Sequence, residues 1–281
     1  YGGTVRMFES IGEKRGVTFS YVDTSDIELV RKSIRKETKA LYIETPSNPT
    51  MKVTDFAAMK EIADEYGLLI IADNTFLTPY FQKPLTLGAD LVVHSGTKFL
   101  GGHNDVLAGF VCIKGKGLSE KLRYTYKTVG CCLPPFDSFL VLRGIKTLSV
   151  RLERQQENAK KIALWLKDRP EVKAVYYTGL PEHPGYEINQ KQASGCGSMI
   201  SFKVDSEKRA RKLLESVKLI SYAESLGGVE SLITYPMLQT HGDVPVETRE
   251  RLGITEDFLR MSVGIENAED LIADLEQALA E

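Results

Sequence analysis

The 281-residue chain has no apolar run long enough to span a bilayer as a helix. It also lacks an excess of either charge: 36 Lys and Arg stand against 38 Asp and Glu, a formal charge of −2. Nothing in that balance drives binding to nucleic-acid phosphates or anionic membranes. Cysteine is scarce. The 4 residues Cys112, Cys131, Cys132 and Cys196 contain no C-x-x-C pair, which excludes a disulfide framework and a zinc ribbon; reduced, buried thiols in a cytoplasmic protein are the expectation. Both Gly-rich nucleotide fingerprints are missing. No Gly-x-x-x-x-Gly-Lys-[Ser/Thr] string occurs, and Gly195-Cys196-Gly197 precedes a strand-like run instead of a helix. There is no repeat, low-complexity tract or charge block. Tyr1, not methionine, opens the chain on the turn-like string Tyr1-Gly2-Gly3-Thr4, and a fragment without its N-terminal portion is expected.

What is present is an ordinary globular composition, 42% hydrophobic and 26% charged. β-rich runs at Val17–Val22, Ala40–Glu44, Leu68–Asp73, Leu91–His94 and Ala108–Ile113 alternate with helical patterns. One helix follows Thr54 as its cap, places Phe56, Met59, Ala63 and Tyr66 on a common face and stops at Gly67. Leu68 to Ala72 is apolar on both faces, as in a strand buried between helix layers. The pattern predicts an α/β fold with a mainly parallel sheet flanked by helices. Asp73 and His94 then fall at the carboxyl edge, where open α/β sheets bind ligands. After the loop Gly130–Pro135 a long helical stretch runs to Lys167, interrupted at Arg143-Gly144. Strands at Val172–Tyr177 and Met199–Val204 and amphipathic helices at Ser206–Val217 and Asp270–Leu279 make a smaller C-terminal α+β domain. The expected division is 1–135, a connecting helix over 136–168, and 169–281.

Three strand-end segments carry chemistry. In His94-Ser95-Gly96-Thr97-Lys98-Phe99-Leu100-Gly101-Gly102-His103, the hydroxyls of Ser95 and Thr97 and the free N–H groups of the turn suit a phosphate. Lys98 beside an anchored aldehyde can form a Schiff base. In Asp73-Asn74-Thr75, a carboxylate ends an apolar strand and calls for a cation or good donors; a protonated pyridine nitrogen is such a cation. In Glu44-Thr45-Pro46-Ser47-Asn48-Pro49, Asn48 sits between two prolines, placed to donate to a ring oxygen. Each has a plainer reading alone: a surface lysine, an Asp capping a turn, a Pro-rich loop. Together they put an amide, a carboxylate and a lysine on successive strand ends, the set that pyridoxal phosphate requires. His94, His103 and Asp105 match no metal-ligand spacing.

At this point the chain resembles the cysteine/methionine-metabolism family of pyridoxal-phosphate enzymes. The matching strings are Tyr1-Gly2-Gly3-Thr4-Val5-Arg6, Glu44 to Pro49, Asp73-Asn74-Thr75-Phe76, His94 to His103, Leu142-Arg143-Gly144, Ala223-Glu224-Ser225-Leu226-Gly227-Gly228 and Leu259-Arg260-Met261-Ser262-Val263-Gly264. The resemblance implies fold type I, pyridoxal 5'-phosphate as cofactor, amino-acid substrates and a homotetramer built from dimers in the full-length protein. It also implies roles for single residues. Lys98 bonds the cofactor and later moves protons, and Asp73 pairs with the ring nitrogen. Tyr1 stacks on one ring face and takes part in catalysis, while Thr75 packs near the other face. Ser95 and Thr97 hold the phosphate. Asn48, Ser225 and Arg260 bind the substrate carboxylate, with Asn48 also near the ring hydroxyl. An Arg fork grips a carboxylate at two points, which a lysine does not reproduce. Family members carry roughly a third more chain ahead of the Tyr-Gly-Gly-Thr string, with a Gly-Met phosphate-binding turn and a Tyr-x-Arg pair that reaches a neighbouring subunit.

Within the family, Glu224 resembles the acidic residue of the γ-synthase and γ-lyase branch and is expected to bind substrate. Gly3 differs from the cysteine of the methionine γ-lyase branch. The expected order is cystathionine γ-synthase first, using O-acyl-homoserine and cysteine, then cystathionine γ-lyase or β-lyase. A nucleotide-binding α/β domain and a non-catalytic truncated fragment are the competing classes.

Overall fold

The computed structural model describes residues 1–239, 247, 249 and 252–280. Its first sheet contains β1 (Ala40–Glu44), β2 (Leu69–Asp73), β3 (Leu91–Ser95) and β4 (Gly109–Ile113), adjacent in that order. β1, β2 and β3 run parallel, and β4 returns antiparallel beside β3. The helix Phe56–Tyr66 crosses from β1 to β2 and buries Phe56, Met59, Ile62 and Ala63 against Ile43, Ile70, Ala72 and Val92. Each of the larger side chains, Phe, Met, Ile and Val, fully withdrawn from water, contributes about 1.5–3 kcal/mol.

Several local expectations change. Asp55, not Thr54, caps that helix: its carboxylate accepts from the Ala57 and Ala58 N–H groups at 2.8 and 3.3 Å. A carboxylate suits the positive end of a helix better than a hydroxyl, and Thr54 instead bonds Thr45 Oγ1 through its N–H. Tyr66, at the end of the proposed apolar face, is exposed. β2 is buried on one face only, since Ile70 and Ala72 meet the helix while Leu69 is exposed. Val17–Val22 forms no strand; the Phe19 ring instead stacks on Phe8 with centroids 4.4 Å apart. Cys131 and Cys132 are exposed, not buried, because they lie in the loop that follows the helix Lys116–Val129.

The long helical stretch is two helices, Pro135–Ile145 and Leu148–Lys167, broken just after Arg143-Gly144. A second sheet follows, in the order β5 (Val172–Tyr176), β6 (Met199–Val204), β9 (Phe258–Ser262), β8 (Leu232–Thr234) and β7 (Ser221–Tyr222). Neighbours are antiparallel except the β7–β8 pair. Ile200, Phe202, Leu259 and Met261 pack on Leu213 of the helix Glu207–Ser216 and on Leu271 and Leu275 of the helix Ala268–Ala280. Ser206 caps the first of these by accepting from Arg209 N–H at 3.2 Å. No helix among the described residues is long and apolar enough to cross a membrane.

Candidate active site

The ends of β1, β2 and β3 converge. Register pairs Glu44 with Asp73 and Asp73 with Val93, and parallel neighbours lie about 4.8 Å apart. Asp73 and the Ser95–Lys98 turn therefore share the carboxyl edge. Asp73 Oδ1 accepts from Thr75 N–H at 3.0 Å and Thr75 Oγ1 at 2.6 Å. Thr75 Oγ1 in turn accepts from Ser95 N–H at 2.9 Å, tying the two strand ends together. Burial is the main force raising the Asp73 carboxyl above the usual range; the Glu44 charge pushes the same way, and the Thr75 donors pull back. Thr97 Oγ1 is engaged with Ala108, accepting from its N–H at 3.1 Å.

The second sheet supplies the other wall. Arg260 on β9 is 1% exposed. Its Nη1 donates to Asn48 Oδ1 at 2.8 Å, and its Nη2 to Ser225 O and Thr234 Oγ1 at 2.9 and 3.0 Å. Burial pulls the Arg260 guanidinium down to about 10, with Glu224 and Glu44 opposing. Lys98 Nζ donates to Ser225 Oγ at 2.8 Å. Burial, then the Arg260 charge, lowers the Lys98 ammonium, and Glu224 partly restores it. Glu224 itself is exposed.

The geometry thus joins Asn48, Arg260, Ser225 and Lys98 in one chain of hydrogen bonds, and Asp73, Thr75 and Ser95 in another. The Tyr1 side chain belongs to neither, although its amino group reaches the site through Glu44 and draws the Asp73 carboxyl down. Its ring is 59% exposed and folds back on Gly3, while its backbone nitrogen lies 2.9 Å from Glu44 Oε2. Three residues of this site escape the sequence reading. Glu44 Oε1 accepts from Asn48 N–H at 2.6 Å and so shapes the Asn48 loop. Thr234 orients Arg260. Tyr42 faces Asp73, and burial followed by that carboxylate pushes its phenol up. Glu44 is the one with a signal, since it ends β1 as Asp73 ends β2, and the register sets the two opposite each other.

A family model described as Cys/Met metabolism PLP-dependent enzyme matches residues 1–280. The chain belongs to this family. A cystathionine gamma-lyase from Bacillus subtilis (strain 168) is 51% identical over 279 residues, which cover 99% of this chain and 74% of that protein. A cystathionine beta-lyase from Coxiella burnetii is 48% identical, covering 99% and 73%. A cystathionine gamma-synthase/O-acetylhomoserine (thiol)-lyase from Bacillus subtilis is 47% identical, covering 100% and 71%. The crystal structure of a cystathionine gamma-lyase from Lactobacillus plantarum complexed with L-serine superposes with a TM-score of 0.97 at 44% identity, covering all of this chain and 74% of that one. The protein is a pyridoxal-phosphate-dependent enzyme of trans-sulfuration, a transferase or carbon–sulfur lyase that acts on amino-acid substrates such as cystathionine.

Proposed function

We propose that the protein cleaves cystathionine at its γ-carbon–sulfur bond, releasing cysteine, a four-carbon oxo-acid and ammonia. The observation that carries γ-chemistry, common to this reading and the second one below, is Glu224, an exposed carboxylate next to Ser225 that acts electrostatically on both Lys98 and Arg260. It is placed to pair with the distal ammonium of a long, doubly zwitterionic substrate, and the 51% identity to a cystathionine gamma-lyase supports the same branch.

The residues present fit the cofactor. Asp73 is a half-buried carboxylate held above its ordinary pKa, with Thr75 and the Tyr42 phenol as its side-chain partners; a protonated pyridine nitrogen would supply the close cation that such a carboxylate calls for. Ser95 and Thr97 precede Lys98 on the adjacent strand end and would hold the phosphate, with Thr75 beside the ring. When bound, pyridoxal phosphate supplies the electron sink for negative charge formed at the substrate's α-carbon.

The chain's own groups then divide the work. Lys98 Nζ would hold the cofactor covalently and would serve as the base that takes the substrate's α-proton. Its depressed pKa leaves more of the amine unprotonated near neutral pH than in an ordinary lysine, which is what a base requires. Ser225 Oγ fixes the direction of that amine. The Arg260 guanidinium, oriented by Asn48 and Thr234, receives the substrate's α-carboxylate. Desolvation around Arg260 strengthens that contact relative to water.

γ-Replacement, joining an O-acyl-homoserine to cysteine, is the second reading. It shares Glu224 and the early proton transfers and is supported by the 47% identity to a gamma-synthase/thiol-lyase. Product analysis separates the two. Incubation with cystathionine alone should give cysteine and four-carbon oxo-acid. Homocysteine and pyruvate would identify a β-lyase, and no cleavage together with cystathionine formed from O-acyl-homoserine plus cysteine would identify the synthase. The proposal extends to a division at 1–135, 136–168 and 169–281, to a homotetramer in the full-length protein and to a cytoplasmic location, supported by the two separate sheets and the bacterial metabolic relatives.

A further inference from the structure

Arg151, on the helix Leu148–Lys167, is 4% exposed, and its three hydrogen-bond partners are neutral. Nη1 donates to Phe99 O at 2.9 Å, Nη2 to Gly144 O at 2.9 Å and Nε to Thr147 Oγ1 at 3.1 Å. Burying a cation against neutral acceptors is costly, and an apolar side chain of similar volume would avoid that cost. What the apolar side chain cannot do is satisfy two carbonyls of two different turns at once, which the planar fork of arginine does.

Both turns matter. Phe99 follows Lys98 directly. The Lys98 carbonyl accepts from Gly102 N–H at 2.7 Å, and Arg151 holds the next carbonyl along. Gly102 has φ +77°, and a Cβ there would overlap the guanidinium; a Cβ on Gly144 would overlap Gly101 O. On the opposite side the Gly227 loop presses on the same peptide: an ideal Cβ at Gly227 would lie 2.7 Å from Phe99 N, and Gly227 N–H is anchored on Ser262 Oγ at 2.8 Å. Phe99 is thus held from both of its peptides: the Gly227 loop lies against its nitrogen, and Arg151 grips its carbonyl. Gly102 leaves room for the guanidinium itself, and Gly144 lets its turn close on Gly101 O, which brings the two carbonyls within reach of one fork.

We infer that Arg151 is a positioning residue for Lys98: by clamping the Phe99 and Gly144 carbonyls it fixes the turn from which the Lys98 amine is aimed at Ser225. The inference rests on Lys98 being the cofactor-bearing base.

The test compares the cofactor-loaded protein with Arg151→Lys and Arg151→Met, using whichever of cystathionine or O-acyl-homoserine plus cysteine turns over. Methionine keeps apolar bulk, and lysine keeps charge but reaches one carbonyl at a time. Both variants should keep the visible absorbance of lysine-linked cofactor. kcat should fall roughly 100-fold in Arg151→Met, the scale of a 1 Å misplacement, and less in Arg151→Lys. KM should hardly move, since Arg151 lies away from the substrate-binding fork of Arg260. The pH midpoint of the visible band should shift as Lys98 leaves the field of Arg260. Wild-type kcat and an unshifted midpoint in both variants overturn the inference, as does a loss confined to KM. If Arg151→Met does not fold, Arg151→Lys decides by the same criteria. If the wild-type protein carries no borohydride-fixable cofactor on Lys98, the parent reading fails and this inference falls with it, an outcome distinct from wild-type kcat in loaded variants.

Discussion

Lys98 Nζ and Ser225 Oγ lie 2.8 Å apart although 127 positions separate them in the chain. One comes from the turn after β3, the other from the loop between β7 and β8, so the amine proposed as the base bridges the two sheets. Ser225 has φ +85°, a conformation that costs a non-glycine residue about 1 kcal/mol or more. Two bonds hold it there: Arg260 Nη2 grips its carbonyl, and Lys98 takes its hydroxyl. Ser225→Ala removes an acceptor from a charged donor, worth about 1.5 kcal/mol. Turnover should fall roughly tenfold with cofactor content unchanged, and steady-state kinetics on the loaded variant checks both.

Arg260→Lys tests the carboxylate fork. A lysine keeps the charge but cannot hold Asn48 Oδ1, Thr234 Oγ1 and a substrate carboxylate in one plane. KM should rise at least roughly tenfold, about 1.4 kcal/mol, with a smaller change in kcat. An unchanged KM would place carboxylate recognition elsewhere.

Glu224→Gln gives a signed pH prediction. Burial and Arg260 depress the Lys98 ammonium, and the Glu224 charge raises it back. Removing that charge lowers the pKa further, so at a given pH more of the amine is free. The acid limb of the rate of cofactor uptake by stripped protein should move to lower pH in Glu224→Gln. It should move to higher pH in Arg260→Gln, where the depressing charge is gone. Shifts in the opposite directions would contradict the electrostatics described for the site.

Asp73→Asn keeps the shape at the end of β2 but cannot neutralise a ring nitrogen. Cofactor should remain bound while kcat falls roughly 100-fold, about 2.7 kcal/mol of barrier. Full turnover in this variant would remove the role assigned to Asp73.

The parts of the site legible in sequence are those that depend on local pattern. Asp73, Lys98 and Asn48 each follow a short apolar strand, so the period-2 pattern and the strand end place them on one edge. Arg260 was legible as the lone cation in an apolar string. What escaped depends on contacts between distant segments. Glu44 matters because parallel register sets it against Asp73, and Thr234 because β8 pairs with β9 beside Arg260. Arg151 is spaced like any helix residue, and only packing shows its guanidinium against the Lys98 turn. The β-rich run Val17–Val22 misled because propensity does not provide a pairing partner. Asp55 displaced Thr54 as a cap because two adjacent candidates differ only in acceptor strength. The paired Cys131-Cys132 read as buried from composition, whereas their position in an exposed interhelical loop is a matter of topology.

The central claim is that the Lys98 amine carries the cofactor at an edge shared with Asp73. Borohydride reduction of the loaded protein, proteolysis and mass spectrometry of the peptides test it most directly. The account predicts a reduced pyridoxyl-phosphate adduct on Lys98 and none in Lys98→Ala. An adduct on any other lysine, with Lys98 unmodified, would contradict it.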